Sequence, residues 1–483
     1  MFARKFRANR LTKSQRRGYG LLDFVLRTPE SKDPITKNMY GQAMHKTNPG
    51  LISQQELAPG FTKNEFHTRR VNLMKPLNEK DVVVVFGADK QYHSPHIFYP
   101  FRQDANFYYL TGWAEPNSAL VLQKDSNVTG GYKSMLFCLE KDHNREIWEG
   151  SRNGIESAVA DFGFDEAFPV SNLTVHLRDL VRERNGLKLY AGKNNIPGKI
   201  KSQLNFNDFI DVNSKIQKLR LIKSDSEIKM LQKANDISLT GYLELLKAIR
   251  EGVNEDSLAN LFEFTCKKSL GEKSSLTRSG YVPVFAGGDN SLLLHYTLNN
   301  CNLNAGDLLL IDAGMEYAYY NSDISRTYPV NKTYTPAQKD LYNAVLHVQE
   351  STIDYIAKCR TKKESLTLNN IHSYSSKLLS TNLRDLGFVD VNIDRIYPHH
   401  VSHYLGIQLH DTVDVSLNTP IQNNMVFTIE PGLYIPYDDN YPKHFHGMGI
   451  RIEDNIVTKE DGIVNLSKSI PKKIEDIERI MNE

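Results

Sequence analysis

Leu308-Leu309-Leu310-Ile311-Asp312-Ala313-Gly314 is an apolar run that stops on an acid, and eleven residues past that acid Asp323 stands in Ser-Asp-Ile-Ser-Arg-Thr (322–327). A run of this length reads as a buried strand. A carboxylate at its end is costly there unless it is paired or holds a cation. The pattern recurs downstream: Glu430 ends Val-Phe-Thr-Ile-Glu-Pro-Gly (426–432), and Glu453 sits in Gly-Ile-Arg-Ile-Glu-Asp (449–454). Between them and Asp323 lies His403, in His-His-Val-Ser-His-Tyr-Leu-Gly (399–406). Four of the chain's 15 histidines, His399, His400, His403 and His410, fall within twelve residues. Arg326 and Arg451 are too few to neutralise four carboxylates. Two divalent cations about 3.5–4 Å apart, bridged by carboxylates, would do so. Hard oxygen donors with one imidazole suit manganese, cobalt, zinc or iron better than a thiolate-selected metal. His295, in Leu-Leu-His-Tyr-Thr, reads from its surroundings as a strand histidine.

Around this cluster, helices alternate with short strands. Ser224 followed by Glu227 is a capping-box signature, and Ile228, Leu231, Ile237, Leu245 and Ile249 continue it as a helical stripe ending near Gly252. Asn254 caps a second helix through Leu258, Leu261 and Phe262. Thr335-Pro336-Ala337-Gln338 starts a third, with Pro at the first helical position, and residues 368–386 make a fourth. Strands are expected at 282–286, 308–312, 426–429 and 450–457. In the front half, Val82–Phe86 is a β-branched run suited to a buried strand. Further strands are expected at 118–122 and 134–139, turns at 126–133, 161–168 and 193–203, and a helix at 175–183.

The chain has 483 residues, 40% hydrophobic and 24% charged, with a net charge of +2. That length implies more than one domain, and the composition argues against global disorder. Cys138, Cys266, Cys301 and Cys359 are scattered without CxxC spacing, against a disulfide scaffold or cysteine-zinc site. No apolar run approaches the ~18–20 residues of a membrane span. The near-neutral total averages two unlike parts. No acid precedes Asp23, whereas Arg4, Lys5, Arg7, Arg10, Lys13, Arg16 and Arg17 are basic, the composition of a mitochondrial targeting segment. Without those seven the remainder carries about −5. No basic stripe interleaved with aromatics lies outside this leader, so nucleic acid is not an expected partner and a two-metal nuclease is disfavoured.

In order and local context, Asp312, Asp323, His403, Glu430 and Glu453 resemble the metal ligands of the pita-bread metallopeptidases, which include methionine aminopeptidase, prolidase, creatinase and aminopeptidase P. Ala-Gly-Gly-Asp-Asn-Ser-Leu-Leu-Leu-His-Tyr-Thr (286–297), His-Tyr-Leu-Gly with His-Asp (403–411) and Ile-Glu-Pro-Gly-Leu-Tyr (429–434) carry the likeness further. In front, Glu-Phe-His-Thr-Arg-Arg (65–70) and Tyr-Pro-Phe-Arg-Gln-Asp-Ala-Asn-Phe-Tyr-Tyr-Leu-Thr-Gly-Trp-Ala-Glu-Pro (99–116) resemble the aminopeptidase P group, and the leader suits its mitochondrial branch.

The resemblance implies a targeting segment (1–22), a linker (23–55), an α/β N-terminal domain (56–214) and an α+β pita-bread (creatinase/aminopeptidase) catalytic domain (215–480). It implies two divalent ions, manganese first and cobalt, zinc or iron as alternatives, with Asp312 on one, His403 and Glu430 on the other, and Asp323 and Glu453 bridging. Glu430 would shuttle protons, His295 and His410 would bind substrate and stabilise the tetrahedral oxyanion, and His399 would be a further catalytic and substrate-binding imidazole lining the pocket. Arg451 would bind substrate or, more in keeping with its place two residues before Glu453, orient ligand carboxylates; Tyr434 would lie near the metals. Arg102, Gln103, Trp113 and Trp148 are open between pocket lining and packing. The implied activity is removal of one N-terminal residue from peptides or imported mitochondrial proteins, either before proline or when the residue is bulky. The implied assembly is a homo-oligomer, dimer or tetramer, without stable membrane insertion, in the matrix or at the inner-membrane face, with nucleus or cytoplasm as secondary places. The alternatives are a prolidase-like dipeptidase and a non-catalytic pita-bread binding module.

Overall fold

The computed structural model describes residues 41–483 apart from 183–187, 193–195, 204–208 and 390; the anticipated targeting segment 1–22 and residues 23–40 of the linker lie outside those residues. Val82–Phe86 is buried at all five positions, as an apolar run without alternation requires of a central strand. It pairs antiparallel with Ala119–Lys124 and parallel with Leu189–Ala191. The six-stranded sheet continues to Ile210–Asp211 on one side and through Tyr132–Cys138 to Glu166–Pro169 on the other. The strands anticipated at 118–122 and 134–139 thus form slightly shifted, joined by a turn as anticipated.

The anticipated turn at 161–168 is half a strand. Glu166–Pro169 pairs parallel with Tyr132–Cys138, and a waiting sheet edge overrides local turn composition. Within 193–203 the described part contains a one-turn helix, Gly198–Lys201. The anticipated helix starts at Leu173 and runs to Arg182, with residue 183 outside the described set. Trp113 is packing: it is fully buried, edge-on to Phe162 at 4.7 Å, with its indole N–H donating to Ser118 Oγ at 3.1 Å.

In the second half, Ser224 with Glu227 and Thr335 with Gln338 form the anticipated capping boxes, heading helices Asp225–Ala248 and Pro336–Thr361. Helices Glu255–Lys268 and Leu368–Asp385 complete the set, capped by Asn254 and Thr367. They enclose small antiparallel sheets. Leu308–Asp312 is central to one, between Val284–Gly287 and Ser325–Pro329. Val426–Ile429 pairs with Asp454–Lys459, and Gly432–Tyr434 with Gly449–Arg451.

The single strand anticipated at 450–457 is therefore two. Ile452 and Glu453 leave the ladder, donating their backbone N–H groups to Pro431 O and Ser325 O, and each flank pairs with a different strand. His295 is not in a strand; it lies in a turn after the 3-10 helix Gly288–Leu292. Its apolar neighbours gave the strand reading, but the glycines before them break the chain into a turn.

The two halves are locked by buried and stacked groups. The expected boundary at 214/215 falls within helix Asn213–Leu221. Tyr108 stacks on Tyr319 at 3.8 Å, Arg102 pairs with Glu316 at 2.6 Å, and Arg69 bridges Glu65 and Glu227.

Arg326 does not serve the carboxylate cluster. It is fully buried and pairs at 2.8 Å with Asp454, which also accepts from Lys472, Gln349, Asn465 and Ser467. Removing one partner of such a pair strands the other charge in the core. Asp454→Ala is expected to lower the unfolding free energy by about 3–5 kcal/mol in urea titration; a loss under about 1 kcal/mol would mean the network is not structural.

Candidate metal centre

Each of the five anticipated ligand residues is carried to one cavity by a strand end or a break in a strand. Asp312 is the last residue of Leu308–Asp312, opposite Ser325 in register. Asp323 precedes that partner strand, Glu430 follows Val426–Ile429, and Glu453 occupies the two-residue break described above. His403 is held from both sides of its backbone, donating its N–H to Thr428 Oγ1 and accepting at its carbonyl from Thr428 N.

His403 Nε2 lies 3.2 Å from Asp323 Oδ2 and 3.5 Å from Glu430 Oε1. Asp323, His403 and Glu453 offer donor atoms within 4.8 Å of one another. Asp312 joins them through Tyr281, whose hydroxyl lies 2.6 Å from Asp312 Oδ1 and 2.9 Å from Asp323 Oδ1. The cavity holds about 550 Å³, with Val282, Val284, Leu294 and Leu409 among its walls.

The donor set fits divalent cations and little else. Glu453 Oε2 accepts from Ser325 Oγ, but its Oε1 is buried with no hydrogen-bond partner. Burial pushes the Asp312 carboxyl up, the Glu430 carboxyl to about 7 and the Glu453 carboxyl well above its ordinary range, and mutual repulsion adds to it. Arg451 opposes this through one contact, to Asp312 Oδ2 at 2.7 Å. At Asp323 burial also works upward, but the hydrogen bond and charge of His403 outweigh it and hold that carboxyl low. The same pair reverses burial at His403, lifting the imidazole to about 9.

His403 Nδ1 faces Tyr404 O at 3.0 Å, and a carbonyl can only accept, so Nδ1 carries the proton. In the neutral ring the Nε2 lone pair then points at the carboxylates, where only a proton or a cation suits it.

The remaining anticipated residues divide clearly. His399 Nδ1 is set against His400 O at 3.0 Å and is therefore the N–H, so Nε2 accepts from Tyr434 Oη at 3.0 Å. Burial, then Arg451, pushes His399 down to about 3. The hydroxyl of Tyr434 accepts from Arg451 Nη1 at 2.8 Å, so Tyr434 does sit beside the centre. Gly432 is required by this contact, because a Cβ there would lie 2.6 Å from His399 Nε2.

Arg451 is buried and also donates to Ser325 Oγ, the geometry of a group that orients carboxylates. His410 packs against His403 at 4.4 Å between centroids with the rings tilted by 57°, and His295 is exposed at the cavity wall. His400 lies under Asn369 and His372.

Among the described residues, the front half contributes nothing to the cavity lining. Gln103 is buried in its own half, Arg102 spans the interface, and Trp148 is 83% exposed elsewhere. Tyr281 and Ser325 are the participants that sequence reasoning missed. Tyr281 sits in Ser-Gly-Tyr-Val with no acid or imidazole nearby in sequence, whereas Ser325 lay inside a quoted motif and was legible in retrospect.

The pattern of metallopeptidase family M24 matches residues 229–460, and that of the aminopeptidase P N-terminal domain matches 66–190. Xaa-Pro aminopeptidase 3 of Mus musculus is 36% identical over 479 residues, covering 94% of this chain and 92% of the relative. "Intermediate cleaving peptidase 55, mitochondrial" of Arabidopsis thaliana is 31% identical, covering 93% and 90%. The crystal structure of Icp55 from Saccharomyces cerevisiae superposes with a TM-score of 0.79 at 31% identity, over 89% of this chain and 99% of that one.

A carboxyl raised by the fold stabilises below its unfolded pKa and loses that contribution as pH rises through its folded pKa. For Glu430 that window runs from about 4.5 to about 7. In EDTA, Glu430→Gln is therefore expected to unfold at a higher temperature than wild type at pH 8, by a few kcal/mol in stability, and at the same temperature near pH 4. Added Mn2+ should raise the wild-type midpoint and erase that advantage. Equal midpoints in EDTA at pH 8 would contradict the electrostatics drawn above.

Proposed function

The chain belongs to metallopeptidase family M24, with an aminopeptidase P-type N-terminal domain, and from that premise we propose that it is a dinuclear-metal aminopeptidase that removes single residues from the N-termini of peptides and imported mitochondrial proteins. The observation that carries this is one cavity lined by four carboxylates and the His403 imidazole, with a buried Glu453 oxygen that has no hydrogen-bond partner. In this reading Asp312, Asp323, His403, Glu430 and Glu453 hold two divalent ions, manganese first, with cobalt, zinc or iron as substitutes. When bound, such ions supply Lewis acidity at a peptide carbonyl and lower the pKa of a water toward neutrality.

The chain's own groups do the rest. Glu430, lifted toward neutrality, can take a proton at Oε and return it to the leaving peptide nitrogen. His410 and His295 stand where ring N–H groups can donate to the oxygen of the attacked carbonyl as charge develops on it. Neutral His399, fixed by Tyr434, lines the same wall and keeps its tautomer. Arg451 orients Asp312 and Tyr434 from below, so the donor atoms stay aimed inward.

The aliphatic residues Val282, Val284, Leu294 and Leu409 favour an apolar or bulky first residue, with cleavage before proline as the second specificity. The acid-free leader and the mitochondrial relative support the matrix or the inner-membrane face as the place of work. Tyr92, Ile97, Phe98, Tyr99 and Trp148 are exposed apolar groups on the front half, and this patch supports a homo-oligomer, dimer or tetramer. No described helix is long and apolar enough to cross a membrane.

Asp323→Ala is expected to lower kcat/KM by at least about 10³-fold on a peptide with a bulky first residue, since it removes a bridging carboxylate. A peptide of several residues should be cleaved faster than a dipeptide; the reverse would establish a prolidase-like enzyme instead. N-terminal sequencing of mitochondrial proteins from cells carrying only Glu430→Gln should find a subset one residue longer than in cells with active enzyme. If no such subset appears, the trimming role falls.

A further inference from the structure

His410 has a demanding task in the reading above and little to hold it. Among the described residues no side chain or carbonyl hydrogen-bonds its ring, which only leans on His403. Its position is therefore set by its backbone, in the loop 404–411. That loop is closed by Asp411 N donating to Tyr404 O at 2.8 Å, with Gly406 N donating to Gln408 O inside it.

Leu405 and Ile407 of the loop are buried in the core, and the polar groups that hold it come from elsewhere in the chain. Asp411, next to His410, is clamped by Arg220 at one carboxylate oxygen and by Lys223 at the other, the latter at 3.0 Å, all three side chains about 1% exposed. Arg220 also donates to Gln408 Oε1 at 2.7 Å, and to Asn106 Oδ1 of the front half at 2.6 Å. From that half too, Arg102 donates to Ile407 O at 2.6 Å while paired with Glu316. Asn321, two residues before Asp323, donates to Gly406 O and Ile407 O. Gly406 is needed for the fit, since a Cβ there would stand 2.6 Å from Asp411 Oδ2.

Two cations on one carboxylate, with Arg220 Nε left without a partner, is an expensive arrangement for stability alone. We infer that the Arg220–Asp411–Lys223 cluster and Arg102 are positioning residues: they set the 404–411 loop, and with it the His410 imidazole, against the metal-binding carboxylates, so that the front domain tunes catalysis without touching substrate. This rests on the role given to His410 in the proposed function. It extends that role to Arg220, Lys223 and Arg102, all remote from His410 in sequence; Arg102 belongs to the other half of the molecule, as does Asn106, which accepts from Arg220.

The test uses the full chain loaded with Mn2+. Asp411→Asn keeps the shape of the side chain and removes its charge, and Arg102→Gln is a milder change at a partly exposed site, kept as a second variant should the first fold poorly. Each is made alone and with His410→Ala. Displacement of a catalytic group by a fraction of an ångström costs rate rather than binding. Asp411→Asn is expected to lower kcat about tenfold and Arg102→Gln about threefold, with KM within about twofold and metal content unchanged. In the His410→Ala background each should cost less than about 1.5-fold more, because the group they act through is gone.

Losses that multiply in the His410→Ala background, or that fall on KM with kcat intact, would overturn the inference. The ring resonance of His410 in histidine-labelled protein, loaded for this measurement with diamagnetic Zn2+ in place of Mn2+, gives a readout independent of turnover. Both substitutions should shift it while leaving that of His347, on a distant helix, in place; an unmoved His410 signal overturns the positioning role. Should His410→Ala be fully active, the reading of the site itself fails, and the resonance still decides whether the cluster sets the loop.

Discussion

The structure is organised around an unfavourable concentration of charge. Asp312, Asp323, Glu430 and Glu453 are gathered in one buried cavity with His403, and the cationic side chain set among them is Arg451. Nothing in protein folding rewards that arrangement by itself. The surrounding elements impose it through strand ends and through a break in the strand path at Ile452 and Glu453. Both devices aim side chains inward without asking the backbone to give up its hydrogen bonds: Glu453 N finds Ser325 O, and Ile452 N finds Pro431 O. The Arg326–Asp454–Lys472 network adjoining the cluster is charge-paired and satisfied where the cluster is not. Adjacent acids in one motif, Glu453 and Asp454, thus have opposite surroundings, one with an unpartnered oxygen and the other saturated with partners.

The tautomers follow from the same constraint. Backbone carbonyls at Tyr404 and His400 accept from Nδ1 of His403 and His399 in turn, so both rings present Nε2 inward. His403 Nε2 meets carboxylates and is made strongly basic, whereas His399, its Nε2 against the Tyr434 hydroxyl, is held neutral by burial and by the nearby charge of Arg451. Two imidazoles four residues apart are given opposite proton affinities by what each faces. In the proposed function that division would let His403 serve as a donor to metal and His399 line the wall beside it.

Much of this was legible in the sequence because the cluster lies in local motifs. An acid closing an apolar run is costly in any fold, so Asp312 and Glu430 announce themselves, and the crowding of His399, His403 and His410 does the same. Helix starts at Ser224 and Thr335 were legible for an equally local reason, since a capping box is complete within four residues. What escaped was set by partners remote in sequence. Tyr281 joins Asp312 and Asp323 across 31 and 42 residues with no motif of its own. Glu166–Pro169 becomes a strand because an edge is waiting for it, and the strand through 450–457 breaks because its two ends pair with different sheets. His295 looked like a strand residue because leucines precede it, and only the turn that follows Gly288–Leu292 shows otherwise.

The front domain was the hardest part to connect with function from sequence, and its geometry explains why. Among the described residues it supplies no wall to the cavity. Two of its arginines instead face the other half: Arg69 to Glu227, and Arg102 to Glu316 and the carbonyl of Ile407. Arginine suits this work because a planar guanidinium can bind a carboxylate and a carbonyl at once from one rigid fork. A motif such as Tyr-Pro-Phe-Arg-Gln-Asp leaves pocket lining and packing both open in one dimension, and in three Gln103 is buried against Ala88 and Glu115 while Arg102 spans the joint. Contacts of this kind reach the loop that carries His410 rather than the substrate. The two halves are accordingly coupled through the loop 404–411, whose backbone carbonyls and single buried aspartate are the surface on which that coupling acts.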